Sequence, residues 1–488
     1  MKKQTSFLNA VKWSYTANWG EKGLSAIFTT LLAVVLGPKD YGVASIALMY
    51  IAFLQLFLDQ GLVTALIQKL DLETEHLDSV FWLDMVLGVG LIIVSVLCSG
   101  WWAAKNHAPE IRTIISVLSL DIPIAALATV QGALMRKEMN FKGFAICSNV
   151  SMLISGVVGV CMAFTGFGVW ALVCQQIVRD LVNCVMVWRF NTWRPRFRFS
   201  WKHLRDLMNF SILNFVAQLG LFAEGQASAI LLGLFYGPLA VGLYRYAERL
   251  MSAVITMATS SIQSVALPEF SRFQNSPLEL RKSILACIRL SSGVTLPALA
   301  GLAAVSTPLL VFLGPNWVPA TGVLKLLCGV GAALLYAFFT GPLLQAQSKG
   351  RELVLVVWVR VLVGLAILVT VALMVKDGSV ATQLLGIGFA RLLTEVLIVT
   401  PAFVYILMRI SGISIREFVS AMAPGAFAAG AVLGAVMLLG SVSWLAEAKT
   451  VFLLATEVIA GGVVGIAVLM TLEKQLREPV LALLRRNV

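Results

Sequence analysis

A chain of 488 residues that is 59% hydrophobic and only 13% charged is not an ordinary soluble domain, in which about 25% of residues are charged. Mean hydropathy is +0.88. The net charge of +12 does not indicate nucleic acid, because the excess sits in short loops between apolar runs, where it sets membrane orientation.

The apolar runs each approach the ~20 residues needed to cross a bilayer. In chain order they predict spans at roughly 12–36, 42–66, 79–104, 112–135, 143–165, 168–189, 208–236, 239–264, 286–313, 320–346, 352–375, 380–408, 420–440 and 449–471. Their length selects helices over a barrel, whose strands need only ~9–11 alternating residues. Met1 to Lys12 reads as a short basic start with no cleavable signal peptide. No predicted loop is long enough for a soluble domain. The seven cysteines lie in apolar runs without CxxC spacing, so neither a disulfide framework nor a zinc site is expected from them.

Lysine and arginine fall in alternate loops. One set includes Lys69, Arg136, Lys137, Lys142, the run from Arg194 to Arg205, Arg272, Arg281, Lys282, Arg409 and Arg416, with both termini. The other holds little beyond Lys39, Lys105, Lys376 and Lys449. By the positive-inside rule both termini of this multi-pass protein are expected in the cytoplasm.

An internal repeat appears at an offset of 200 residues. Gly20, Leu31, Leu32, Gly37, Pro38 and Gly42 recur as Gly220, Leu231, Leu232, Gly237, Pro238 and Gly242. The shared Gly-Pro-x-x-x-Gly joins the first two spans of each half, where glycine and proline suit a tight turn. Six spans precede the most basic loop, Asn191–Arg205, and six follow, so the repeats are expected to be parallel. The resulting division is residues 1–205, 206–415 and 416–488, the last holding two extra spans and a basic tail.

Four segments carry a family resemblance: Leu36-Gly-Pro-Lys-Asp-Tyr-Gly42, Asp59-Gln-Gly-Leu-Val-Thr-Ala-Leu-Ile-Gln68, Ala133-Leu-Met-Arg-Lys-Glu-Met-Asn-Phe141, and Leu313-Gly-Pro-Asn-Trp317 followed by Leu326-Leu-Cys328. In this order and spacing they resemble the Wzx-type polysaccharide flippases of the multidrug/oligosaccharidyl-lipid/polysaccharide exporter superfamily, in particular the branch for colanic-acid-like units. The resemblance implies an all-α integral membrane fold of about 14 helices. Two pseudo-symmetric six-helix lobes would surround a central cationic cavity, with two C-terminal helices added. It implies flipping of an undecaprenyl-diphosphate-linked oligosaccharide from the cytoplasmic to the outer leaflet. It implies no enzymatic step and no cofactor, and monomeric function alongside a polymerase and a chain-length regulator.

An ionisable residue at mid-membrane costs roughly 2.5–3.5 kcal/mol on insertion scales, so it usually faces protein or water and has a task. Basic candidates for the lipid diphosphate are Lys22, Arg179, Arg245, Arg249, Arg360 and Arg391. Arg245 and Arg249 share a helix face, and guanidinium groups donate paired hydrogen bonds to phosphate oxygens. Against this role stands ion pairing along the chain: Lys22 adjoins Glu21, Arg179 adjoins Asp180, Glu248 follows Arg245, and Glu395 follows Arg391 by four. Arg360 has no acidic neighbour in sequence, and the competing role for it is snorkelling to the cytoplasmic edge.

The acidic residues in spans are Asp59, Asp84, Asp121, Glu224, Glu395 and Glu457. Of these, Asp59, Glu224 and Glu395 are the candidates for gating or for coupling to a proton or sodium ion. Glu224 falls two positions from the repeat equivalent of Lys22. Asp59 has pairing with Lys69 as its simpler role.

Three other functions remain at this point. A membrane polymerase or ligase would need a large outer loop, and His76, His107 and His203 form no nucleophile–base arrangement. A cation-coupled drug exporter would favour an acidic cavity. A flippase for a peptidoglycan or teichuronic-acid precursor is not separable by sequence.

Overall fold

The computed structural model describes residues 2–59, 62–69, 71–273, 276–335, 339, 343–344, 350–440 and 450–472. Within helices, the side chains of residues 2–19, Asp59 and 208–214, among others, lie outside the description. Lys449 and the basic tail after residue 472, assigned above to opposite sides of the membrane, also lie outside it. The described residues form helices joined by short connections, without strands.

Twelve of the described helices are long and apolar enough to cross a membrane. One of them, Gly20–Leu58, covers the first two predicted spans, so fourteen stands as an approximate count. Pro238–Arg272 is 35 residues long and carries Arg245, Glu248 and Arg249. The surface is apolar where a lipid-facing surface should be: Leu97, Phe164, Phe427, Leu438 and Met374 are all largely exposed. The polar exceptions lie inside, with Asp78, Asp84, Asp121, Glu395 and Glu457 buried. This inversion is what a hydrocarbon solvent imposes.

The chain forms two compact units, Met1–Arg245 and Tyr246–Val488. In the first, α1 (Lys2–Asp59) breaks at Gly37, where φ is +76° and ψ 170°, and Pro38 starts the second half. The repeat position does the same: α8 (Trp201–Tyr236) ends at Gly237, φ +79°, and α9 (Pro238–Arg272) begins at Pro238. Glycine takes the positive φ without a Cβ clash, and proline at a helix start gives up no needed donor. The predicted tight turn is therefore made at a single glycine in each copy.

Between them lie α2 (Leu62–Gln68), α3 (Thr74–Lys105), α4 (Ile111–Leu118), α5 (Asp121–Lys137), α6 (Phe141–Phe164) and α7 (Trp170–Phe190). The helix α1 packs on α6, and α6 on α7. A Cβ on Gly156 of α6 would overlap the ring of Phe28 on α1. Small residues let membrane helices approach closely where no hydrophobic driving force exists between them.

In the second unit, α10 (Pro277–Ala304) packs on α16 (Ile415–Gly440), and α16 on α17 (Thr450–Leu472). A Cβ on Gly425 of α16 would overlap the backbone carbonyl of Ser292 on α10, so their main chains touch. The remaining helices are α11 (Ser306–Leu313), α12 (Thr321–Leu334), α13 (Gly350–Met374), α14 (Val380–Thr394) and α15 (Thr400–Ser411). A π-helical turn, Glu395–Val399, links α14 to α15. Such turns widen the helix locally and recur at functional sites.

Candidate functional site

The first unit holds an open cavity of about 510 Å³ between its membrane helices. Its charged and amide lining is Glu21, Gln55, Arg136, Arg179, Asp180 and Asn183, with the hydroxyls of Thr129, Ser148 and Ser151 beside them. These come from α1, α5 and α7, so the packing of α1, α5, α6 and α7 builds the site. The volume is that of ordinary small-ligand sites.

Two polar clusters meet there. In one, Arg179 Nη2 lies 2.7 Å from Glu21 Oε1, joining α7 to α1. In the other, Asp121 at the start of α5 is fully buried. Its Oδ2 accepts from Gln55 Nε2 at 3.2 Å and from Gln176 Nε2 at 3.4 Å. The same Gln176 amide donates to Asp180 Oδ2 at 2.8 Å. One amide thus holds two carboxylates, while Asp121 Oδ1 is buried without a hydrogen-bond partner. Buried acceptors normally find a donor, so a group with an open lone pair here is ready to take a proton or cation.

The predicted site residues are distributed as follows. Arg179 lines the cavity, but its partner is Glu21 rather than the adjoining Asp180. Adjacent residues point in different directions on a helix, whereas Glu21 faces α7 across the packing seam. Lys22 is exposed, while the adjoining Glu21 is bonded to Arg179. Arg245 donates to the Gln226 side-chain oxygen, while Arg249 is exposed. Glu224 and Arg391 are half-buried. The Asp59 side chain lies outside the described residues; Lys69, its expected partner, lies 3.6 Å from Asp206.

Arg360, given no acidic neighbour by sequence, pairs with Glu395 at 3.5 Å. The sequence spacing had suggested Arg391 as the partner of Glu395. The pair is nearly dry, with side chains 13% and 3% exposed. Sequence reasoning left out of the coupling set Gln55 and Asp180, which line the cavity, and Asp121 and Gln176, which hydrogen-bond to them. The spacing of Gln176 and Asp180, four apart on one helix face, was the available signal.

A second cavity, of about 450 Å³, lies within the second unit. It is lined by Gly293, Pro297, Val432, Gly461 and Gly465, with Glu457 as its one acidic residue.

The sequence profile of a family described as "Polysaccharide biosynthesis protein" matches residues 31–321. Among characterised relatives, the succinoglycan biosynthesis transport protein ExoT of Rhizobium meliloti (strain 1021) is 26% identical, with 79% of this chain and 78% of that protein aligned. The lipopolysaccharide biosynthesis protein WzxC of Escherichia coli (strain K12) is 24% identical over 70% of each. The teichuronic acid biosynthesis protein TuaB of Bacillus subtilis (strain 168) is also 24% identical, over 68% of each. Among solved structures, the lipid II flippase MurJ in an inward-closed conformation superposes with a TM-score of 0.71, at 13% identity, covering 96% of this chain and 99% of that one. An inward-facing multidrug resistance MATE transporter gives 0.63 at 16% identity, over 80% and 95%. At these identities the structural matches establish the fold.

Proposed function

This chain belongs to the polysaccharide biosynthesis protein family, and we propose that it flips a polyprenyl-diphosphate-linked oligosaccharide from the cytoplasmic to the outer leaflet of a bacterial inner membrane. It is a multi-pass membrane transporter, not an enzyme. The observation that carries the proposal is the polar cavity among membrane helices, where Arg136 and Arg179 stand in the same lining as amides and carboxylates. A diphosphate headgroup with sugars needs such a lining, because hydrocarbon offers no hydrogen bonds. Guanidinium groups supply paired donors to phosphate oxygens. The lipid tail can remain in the bilayer throughout.

The membrane potential favours this direction. Two negative charges moving outward through an inside-negative potential gain about 2.3 kcal/mol each per 100 mV. In this reading Asp121 and Asp180, sharing the Gln176 amide, are the groups that exchange a proton or sodium ion during the cycle. They join Asp59, Glu224 and Glu395 as candidates for coupling. Export of an organic cation is the competing reading, since Glu21 and Asp180 also line the cavity.

The deciding experiment is transport in reconstituted vesicles. Outward exposure of a polyprenyl-diphosphate oligosaccharide is followed for the parent and for Arg136→Ala and Arg179→Ala. The proposal expects movement by the parent and a loss of at least about tenfold in each variant, the equivalent of 1.4 kcal/mol. Export of a hydrophobic cation without movement of the lipid would replace the flippase reading with the drug-exporter one.

A further inference from the structure

Outside the cavity, one cluster of side chains is used by nothing described so far. Glu73 is the N-cap of α3, His76 lies in its first turn, and His203 lies in the first turn of α8. One donor atom from each of the three lies within 4.8 Å of the others. We propose that Glu73, His76 and His203 form a divalent-metal site suited to zinc, which clips the start of α8 onto the start of α3.

The geometry around His203 is that of a pre-oriented ligand. Its Nδ1 is 2.6 Å from Ser200 Oγ, and its Nε2 is 3.2 Å from Glu73 Oε2. In the tautomer whose Nδ1–H donates to the serine, Nε2 turns its lone pair toward the carboxylate; in the other, Nε2–H donates to it. A metal ion between Nε2 and Oε2 would take the place of that proton. A ligating histidine normally donates its other nitrogen in this way, which fixes tautomer and ring plane. Ser200 is itself held, its backbone N–H donating to Ser79 Oγ at 2.9 Å.

His76 is the second observation. Its ring is buried, packs edge-on against His203 with centroids 4.5 Å apart, and its Nε2 has no hydrogen-bond partner. Its Nδ1 accepts from the Glu73 backbone N–H at a long 3.3 Å, a bond that metal binding can displace. Zinc ligands at ~2.0–2.1 Å in a tetrahedron stand roughly 3.3–3.4 Å apart. The Glu73–His203 edge already has that length, so closing the triangle needs side-chain movement of about 1.5 Å at most.

Asp206, three residues beyond His203 on α8 and now paired with Lys69 at 3.6 Å, or a water would supply the fourth ligand. Two histidines, one carboxylate and a fourth oxygen make a hard-to-borderline donor set of the kind zinc accepts. The site is far in chemistry from the cavity and does not depend on the substrate proposed above. Its consequence is mechanical. The segment Asn191–Ser200 is already tied to α3 by Trp82 Nε1 donating to the Arg196 carbonyl and by the Arg196 N–H donating to Asp78. A metal would fix the following helix entry as well.

The chain has only three histidines, which makes the test clean. The full-length protein, freed of affinity tag and stripped with a chelator, is titrated with zinc against a chromophoric competitor. One zinc per chain is expected, with affinity at least about tenfold weaker in Glu73→Gln and His203→Ala and unchanged in His107→Ala. The parent alone provides a second readout: zinc should abolish carbethoxylation of His203 by diethyl pyrocarbonate while His107 still reacts. Failure of the parent to bind zinc, affinity unaltered in the His203 variant, or unprotected His203 in zinc-loaded protein would each overturn the site.

Discussion

Gly42 and Gly242 pack as a reciprocal pair. A Cβ on Gly42 would overlap the carbonyl oxygen of Pro238, and a Cβ on Gly242 would overlap that of Pro38. Each hypothetical carbon would also stand 2.9 Å from the other glycine's backbone nitrogen. The two glycines and two prolines are equivalent positions of the 200-residue repeat. The repeat is thus more than a shared turn: each copy's break supplies the surface that the other copy's glycine meets. Backbone contact of this kind admits no side chain.

Replacing Gly42 by alanine should therefore be among the most damaging single changes outside the cavity. Main-chain atoms must separate, a form of overpacking that costs about 1–3 kcal/mol or more. Gly37→Ala meets no neighbour and faces only its backbone conformation, φ +76° and ψ 170°, about 1–3 kcal/mol. Thermal unfolding in detergent should rank Gly42→Ala and Gly242→Ala together, and below Gly37→Ala. A Gly42→Ala protein as stable as the parent would mean that the helices do not touch there.

The ion pair Arg179–Glu21 can be tested by exchange. If Arg179 serves only to pair, Glu21→Arg with Arg179→Glu restores folding and transport together. We expect folding to recover and transport to stay at least about tenfold below the parent, since the guanidinium would leave its place on α7. Circular dichroism and vesicle flipping on the same preparations distinguish the two.

Much of this arrangement was legible in the sequence. Run length fixed the helices, and the repeat fixed the paired breaks at Gly37 and Gly237. Loop charge produced an orientation that the fold does not itself report. What escaped was partner choice among the charged residues. Local spacing offered Arg391–Glu395 and Lys22–Glu21 but gave no sign of Arg360–Glu395 and Arg179–Glu21, which the structure pairs. The last pair lies 158 positions apart in the chain. Helix periodicity says which residues share a face but not which face meets which neighbour. The Gly42–Pro238 contact escaped for the same reason, because a tight turn and a close approach both call for glycine.

Arg360 and Glu395 make a different prediction. Glu395→Gln removes the charge opposite a guanidinium that is 13% exposed, at the first residue of the π-helical turn. Breaking one side of a buried pair typically costs 3–5 kcal/mol, while replacing both partners by apolar residues of similar size is often neutral. The single variant should lose stability in detergent by about that amount, and Arg360→Met with Glu395→Leu should regain most of it. If the double variant is stable but transports normally, the pair is structural alone.

Asp121 carries the coupling argument. Asp121→Asn keeps the shape of the side chain and removes a buried carboxylate, so folding should be preserved. The two amides that now donate to Oδ2, from Gln55 and Gln176, can still reach the asparagine oxygen. Transport, however, should fall at least about tenfold and lose its response to an imposed proton or sodium gradient. Vesicles loaded to give each gradient separately identify the ion by the parent's response. An Asp121→Asn protein that still accelerates with either gradient would move the coupling group elsewhere, with Asp180 next in line because it shares the same amide.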